Sequence, residues 1–145
     1  MLVGCAIAAP VRSPLPPAAA AAIVDCDADT EEVKPGRIPN DFVPTIAYRC
    51  DEILTLATPD AEPPPPPPSP PHAYAGDLSS LVSALTQPDD PKWDGPCAAM
   101  MKLAADIWLE DASGTIIRVA HPVDGCGQPK AEAVYDALEK LSIAP

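Results

Sequence analysis

Aromatic and basic residues are both scarce in this sequence. Its 145 residues include one Phe, two Trp and three Tyr, and 9 Lys and Arg stand against 21 Asp and Glu. The net charge of −12 leaves no basic patch to neutralise phosphate groups, which disfavours DNA, RNA and anionic lipid surfaces as partners. Solubility alone accounts for such a charge, and the alternative is recruitment of a basic partner.

Motifs that carry catalysis or bind metals are also missing. The sequence has no nucleophile elbow, Walker loop, dinucleotide fingerprint or H-E-x-x-H pattern. The two histidines, His72 and His121, have no obvious partners. A D-x-D-x-D pattern begins at Asp25, but Thr30 and Gly36 occupy the positions where an EF-hand needs Gly and Glu. The sequence therefore predicts no enzyme, no cofactor and no metal site.

Proline, in contrast, is abundant. The chain has 22 Pro, about threefold the usual share, and the run of six from Pro63 predicts a polyproline II segment that acts as a stiff spacer or expanded loop. We expect residues 1–38 to be an export or lipidation remnant followed by a largely disordered Pro/Ala-rich and acidic tether. Residues 39–145 are expected to form a single domain with a Pro-rich insertion at 59–73.

The cysteines predict a covalently stapled small core. None of the five belongs to a C-x-x-C pair, which disfavours zinc ribbons and thioredoxin-like redox sites. An odd number in a short chain indicates one special cysteine, here Cys5, and pairs among the rest. Cys50 is expected either to pair with Cys26 or to remain a buried thiol.

Alternating apolar residues predict strands in two regions. Residues 45–50 are rich in β-branched and aromatic side chains and place Ile46, Tyr48 and Cys50 on one face, expected to be the inner one. Residues 101–110 alternate in the same way, although their alanines favour a helix. Asp111–Gly114 supplies turn residues, and residues 115–120 then return as a second strand.

This hairpin is bracketed by two cysteines. If its strands pair, Cys97 and Cys126 come within bonding reach at its open end. A disulfide there would close a loop of about 30 residues and stabilise the domain by about 3.5 kcal/mol, by the chain-entropy argument. Small cores often need such a staple.

Helical periodicity predicts two helices. In the stretch GDLSSLVSALTQP, Asp77 can cap the helix and Pro88 ends it, and the apolar stripe is Leu78, Leu81, Val82 and Leu85. A second helix is predicted in GQPKAEAVYDALEKL with Pro129 near its first position, and its stripe is Ala133, Val134, Ala137, Leu138 and Leu141. Trp93, in the loop after the first helix, is expected to pack on the core. The predicted fold class is α+β, with a small antiparallel sheet and C-terminal β-hairpin packed by two helices.

The stretch Leu2-Val3-Gly4-Cys5 resembles a bacterial lipobox, in which a signal peptide is cut before the cysteine and the thiol is acylated. The resemblance implies that Cys5 is lipidated. A secretory signal also needs a basic n-region and an apolar h-region, so we expect that the true start lies upstream, that this chain is trimmed, or that the match is chance. The competing interpretation makes residues 1–22 a secretion signal, and either signal would export the protein.

From residue 39 onward the chain resembles small secreted or lipid-anchored proteins of high-GC actinobacteria that have no known activity. The resemblance is carried by PNDFVPTIAYRCD, LVSALTQPDD, DGPC, LEDASGTIIRV and DGCGQPKAEAVYDAL. It implies an exported α+β domain. We therefore expect a lipid-anchored or secreted, non-enzymatic protein of the cell envelope, with a binding or structural role toward an unknown protein or envelope component.

A second resemblance supplies the alternative function. Bacterial subtilisin-inhibitor-like proteins also show a cysteine-ended strand, an L-x-x-L-T helix, and a cysteine before a hairpin that another cysteine closes. The resemblance implies a secreted inhibitor of subtilisin-type serine proteases, with Ala98, Ala99 and Met100 as the reactive loop after Cys97. The chain departs from that family at Ala98, where a proline is expected, and near Cys50, which lacks a close cysteine partner.

Overall fold

The computed structural model describes residues 15–27, 32–51, 70–99 and 102–143 of the chain. Within these ranges, six strands form one antiparallel sheet in the order β1-β5-β4-β2-β3-β6, accompanied by two helices. The elements are β1 Ala20–Ala21, β2 Pro44–Cys50, β3 His72–Ala75, α1 Ser79–Leu85, β4 Asp106–Asp111, β5 Ile116–Val119, α2 Glu132–Glu139 and β6 Ser142–Ile143. The predicted α+β fold class is confirmed.

Strand β4 lies in the middle of the sheet and carries the alternation that the sequence predicted. Ile107 and Leu109 are fully buried and pack on the helices. Trp108 points to the opposite face and is also fully buried. The strand is also shorter than predicted, because residues 102–105 precede its first paired residue, Asp106.

The two helices cover one face of the sheet. In α1 the predicted stripe holds, since Leu78, Leu81 and Leu85 are buried, and Ser79 N–H donates to the Asp77 carboxylate at 3.0 Å. Helix α2 contributes Val134, Ala137 and Leu138 to the same core. Together these apolar side chains supply the hydrophobic contact that holds the helices on the sheet.

Helix α2 begins later than predicted. Its first residue is Glu132, whereas Pro129 forms an antiparallel bridge with Val123 instead of occupying the first helical position. This bridge is flanked by hydrogen bonds from Asp124 N–H to Gln128 O at 2.8 Å and from Lys130 N–H to Pro122 O at 2.7 Å. The chain therefore makes a short two-stranded turn before it becomes helical.

The N-terminal region corrects the predicted tether. Of residues 1–38, the described ranges 15–27 and 32–38 are integrated in the fold rather than disordered. Ala20 pairs with Ile117 at the edge of the sheet, and Ala18 and Ile38 are 9% exposed and belong to the helix-side core. Small alanine side chains allow the close approach that this packing requires, although they carry no periodicity that marks a strand.

The same N-terminal region covers the second face of the sheet. Cys50, Trp108 and Ile116 are buried there, and the partly buried side chains packed against them are Ala21, Val24, Cys26, Val33 and Tyr48. The Cys26–Cys50 disulfide closes this layer, with a Cα–Cα distance of 5.3 Å. Burial of Trp108 is thus explained by a second layer, which we call the N-terminal strap (residues 20–33, of which 28–31 lie outside the described ranges).

The Pro-rich insertion is only partly described. Residues 59–69 of the predicted range 59–73 lie outside the described residues. His72 and Ala73, which end that range, belong to strand β3 and pair with Arg49 and Tyr48 of β2. No helix in the described part of the chain is long and apolar enough to cross a bilayer.

Candidate binding loop at the Cys97–Cys126 disulfide

All four cysteines among the described residues form disulfides. Cys97 and Cys126 form the predicted disulfide, with a Cα–Cα distance of 5.8 Å, and are 29 positions apart in sequence. Cys50 pairs with Cys26, which settles the alternatives that the sequence left open. Cys5, the predicted lipidation site, lies outside the described residues.

The disulfide fastens an exposed loop, residues 88–99, which we call the stapled loop. Ala98 and Ala99 are exposed at its end, directly after Cys97, whereas Met100, the third residue of the predicted reactive loop, lies outside the described residues. Exposed main chain next to a covalent crosslink is an arrangement suited to binding, because less conformational freedom is lost when a partner docks.

Backbone hydrogen bonds fix the stapled loop along its length. Asp90 N–H donates to Val123 O, and Trp93 N–H donates to Gly125 O, each at 2.9 Å. In return, Val123 N–H donates to the Asp89 carboxylate at 2.9 Å. The loop therefore runs beside residues 123–126 and is held at three points before the disulfide is reached.

A salt bridge and a turn complete this support. Lys130 Nζ lies 2.9 Å from Asp90 Oδ1. The Asp124 carboxylate accepts hydrogen bonds from Cys126 N–H at 2.9 Å and Gln128 N–H at 3.0 Å, and Gln128 Oε1 accepts one from Lys102 N–H at 2.7 Å. The segments on both sides of the disulfide are thus tied to the same turn.

Trp93 is the main departure from the sequence prediction in this region. The side chain is 60% exposed instead of packed on the core. Its Nε1–H donates to Pro96 O at 3.3 Å, which fixes the orientation of the ring within the loop. A large exposed aromatic side chain on a rigid loop is typical of a binding anchor.

Two glycines make this position of Trp93 available. A Cβ at Gly95 would lie 2.5 Å from the indole Nε1, and one at Gly125 would lie 2.7 Å from the carbonyl oxygen of Pro91. Contacts this short are not tolerated, so the ring can rest on Gly95 only because that residue has no side chain. The glycine and proline between Trp93 and Cys97 indicate a loop in the sequence. They do not indicate whether Trp93 is exposed, because a single aromatic residue in a loop forms no periodic pattern.

A cavity of about 490 Å³ lies beside the start of α2. It lies between the segment after Cys97 and the start of α2, and its lining includes Leu103, Tyr135, Lys102, Asp124 and Glu132. Side chains of both charge signs border the cavity, so its charge does not select a ligand of one sign.

His121 and two strand carboxylates are engaged in structural contacts. His121 Nε2 donates to Ala105 O at 2.7 Å. Asp106 pairs with Arg118, and Glu110 accepts a 2.7 Å hydrogen bond from the Tyr48 hydroxyl. The bond to Glu110 raises the pKa of Tyr48, and burial and the nearby negative charge add to the effect.

No grouping for metal binding occurs in the described ranges, where His, Cys, Asp and Glu nowhere cluster in threes. No protein-family model, curated protein or solved structure matches the chain. The three resemblances stated above therefore remain predictions.

Proposed function

We propose that the protein is exported, is held at the membrane by a lipid on Cys5, and acts without catalysis as a binding or structural protein of the cell envelope. The stapled loop is its contact surface. The observation that carries this proposal is the exposure of Trp93 on a loop held by backbone hydrogen bonds and a disulfide.

The two disulfides support a location outside the cytosol. Cys26–Cys50 and Cys97–Cys126 join segments that are distant in sequence, and such bonds persist in oxidising environments outside the cytosol. An acyl chain on Cys5 would add membrane affinity without a spanning helix.

Detergent phase partitioning of the native protein tests the anchor. We expect the protein to enter the detergent phase and Cys5→Ser to remain in the aqueous phase. Alkylation of free thiols in intact cells tests export on the same sample. In an exported protein, Cys97 and Cys126 are joined in a disulfide and do not react. Equal partitioning of both proteins would exclude the lipid anchor, and freely alkylated thiols would exclude export.

Inhibition of a subtilisin-type protease is the second candidate function. The specific observation that favours it is the exposure of Ala98 and Ala99 immediately after a cysteine tied to Cys126. A rigid loop of this kind binds a protease cleft without paying the full ordering entropy.

Titration of oxidised protein against subtilisin distinguishes the two candidates. Stoichiometric loss of protease activity, relieved in a variant carrying Cys97→Ser and Cys126→Ser, would identify an inhibitor. Full protease activity at excess protein would exclude inhibition and leave the envelope-binding role.

A further inference from the structure

We propose that the Trp93 indole is a docking platform for a cationic side chain, arginine or lysine, presented by a basic protein segment. This inference rests on the proposed binding role of the stapled loop and names the chemistry of its partner.

The geometry of Trp93 suits this role. The ring rests on Gly95, is tied through Nε1 to Pro96 O, and leaves 60% of the side chain open. A cation placed over an aromatic face is attracted by the ring quadrupole, and Trp is the strongest of the aromatic side chains in this respect. Because the ring is already fixed, its ordering adds little cost when the cation arrives.

The protein uses the same interaction internally. The Arg118 guanidinium lies 5.5 Å from the centroid of the Trp108 ring, and Arg49 lies 4.9 Å from that of Tyr135. In the described part of the chain, no Arg or Lys lies over Trp93. Of the two tryptophans, the buried one is therefore supplied with a cation by its own chain, and the exposed one is left to receive a cation from outside.

Charge decides which class of partner the platform attracts. The loop carries Asp89, Asp90 and Asp94 against Lys92. Asp90 pairs with Lys130 and the Asp89 carboxylate accepts Val123 N–H, so Asp94 is the acidic residue next to Trp93 in sequence, and the whole chain adds a field of net charge −12. This field speeds the approach of a basic segment, repels an acidic one and does nothing for a neutral one.

Tryptophan fluorescence of the full oxidised chain provides the test. The probes are three short peptides of one Gly/Ser sequence that differ only in carrying arginine, citrulline or glutamate. We expect the arginine peptide alone to change the Trp93 emission, with an affinity that falls as salt is added. Trp108 is fully buried and serves as the internal reference.

Matched variants separate the platform from the general charge. Isothermal titration calorimetry measures binding by the variants, because Trp93→Ala removes the fluorescent probe. We expect Trp93→Ala to weaken binding of the arginine peptide about two- to fivefold, and Asp94→Asn to weaken it more than Asp136→Asn, which removes the same charge from the exposed side of α2. Trp108 emission and far-UV circular dichroism verify that each variant is folded. Equal binding by wild type and Trp93→Ala, or equal binding of the arginine and citrulline peptides, would overturn the inference.

The outcomes also distinguish failure of this inference from failure of the proposed function. A proline peptide or neutral saccharide that binds at Trp93 in place of the arginine peptide would overturn the cation platform and leave the loop as a contact surface. Absence of any Trp93-dependent binding, together with an aqueous-phase protein carrying free thiols, would overturn both.

Discussion

Arg118 Nη1 donates a 2.9 Å hydrogen bond to the carbonyl oxygen of Val33, 85 positions earlier in the chain. Arg118 is 3% exposed and also pairs with Asp106 and lies over the Trp108 ring. A single side chain of β5 therefore connects the N-terminal strap to the second face of the sheet.

Replacement of this side chain should loosen the strap. We expect Arg118→Met to lower the free energy of unfolding by about 2–4 kcal/mol, since Asp106 loses a charge partner and Val33 O loses a donor. Urea unfolding measures the effect, with the exposed Arg37→Met as the control. An equal small loss in both variants would show that Arg118 is not what holds the strap.

The two disulfides should differ in their access to reductants. Cys97 and Cys126 are both exposed, whereas Cys50 is 3% exposed beneath the strap, and thiol exchange requires access to a sulfur atom. We expect a dithiol reductant at low concentration to open Cys97–Cys126 first in the folded protein. Timed alkylation with mass spectrometry gives the order, and simultaneous opening of both bonds would contradict it.

Gly95→Ala should displace Trp93 without unfolding the domain. The added methyl group would lie 2.5 Å from the indole Nε1, so the ring must leave its position. We expect altered quenching of Trp93 by acrylamide and weaker binding by the stapled loop. Gly114→Ala, strained by a φ of 86° and with no neighbour within 4 Å, is the control for backbone cost alone. Unchanged quenching in Gly95→Ala would show that the glycine is not required.

The β4–β5 turn should make stability depend on acid pH. Hydrogen bonds from Ser113 and from the backbone at Thr115 lower the pKa of Asp111. A lowered pKa in the folded state means that the contribution is present above the usual carboxyl pKa and is lost as pH falls through the folded-state value. We expect Asp111→Asn to flatten this part of the stability–pH curve in thermal unfolding scans. Asp136→Asn is the control. If Asp111→Asn lost stability at acid pH as wild type does, Asp111 would not be the source of this pH dependence.

Elements with a regular pattern were predictable from the sequence. Ile107 and Leu109 in β4 follow a period of two, the helix stripes follow a period of 3.6, and the hairpin brought Cys97 to Cys126. The strand and helix patterns depend only on residues that are close in sequence. The disulfide pairing followed because a paired hairpin places its outer ends together.

The strap and Trp93 were not predictable, for a physical reason. Ala18 and Ala21 pack because other segments approach them closely, and small side chains look the same in a tether and in a tight contact. Burial of Trp108 depends on the strap, so it was not predictable either. The position of Trp93 is set by Gly95 and Gly125, and contact with a glycine 32 positions away from Trp93 leaves no local pattern.

Integration of the N-terminal region into the sheet limits how far an anchored protein would reach. Leu15, the first described residue, follows Cys5 by ten positions, and a chain of that length extends at most about 35 Å. With a lipid on Cys5, the β1 edge would be confined to a shallow zone above the bilayer, and partners of the stapled loop would be sought at the membrane surface rather than in outer layers of the envelope.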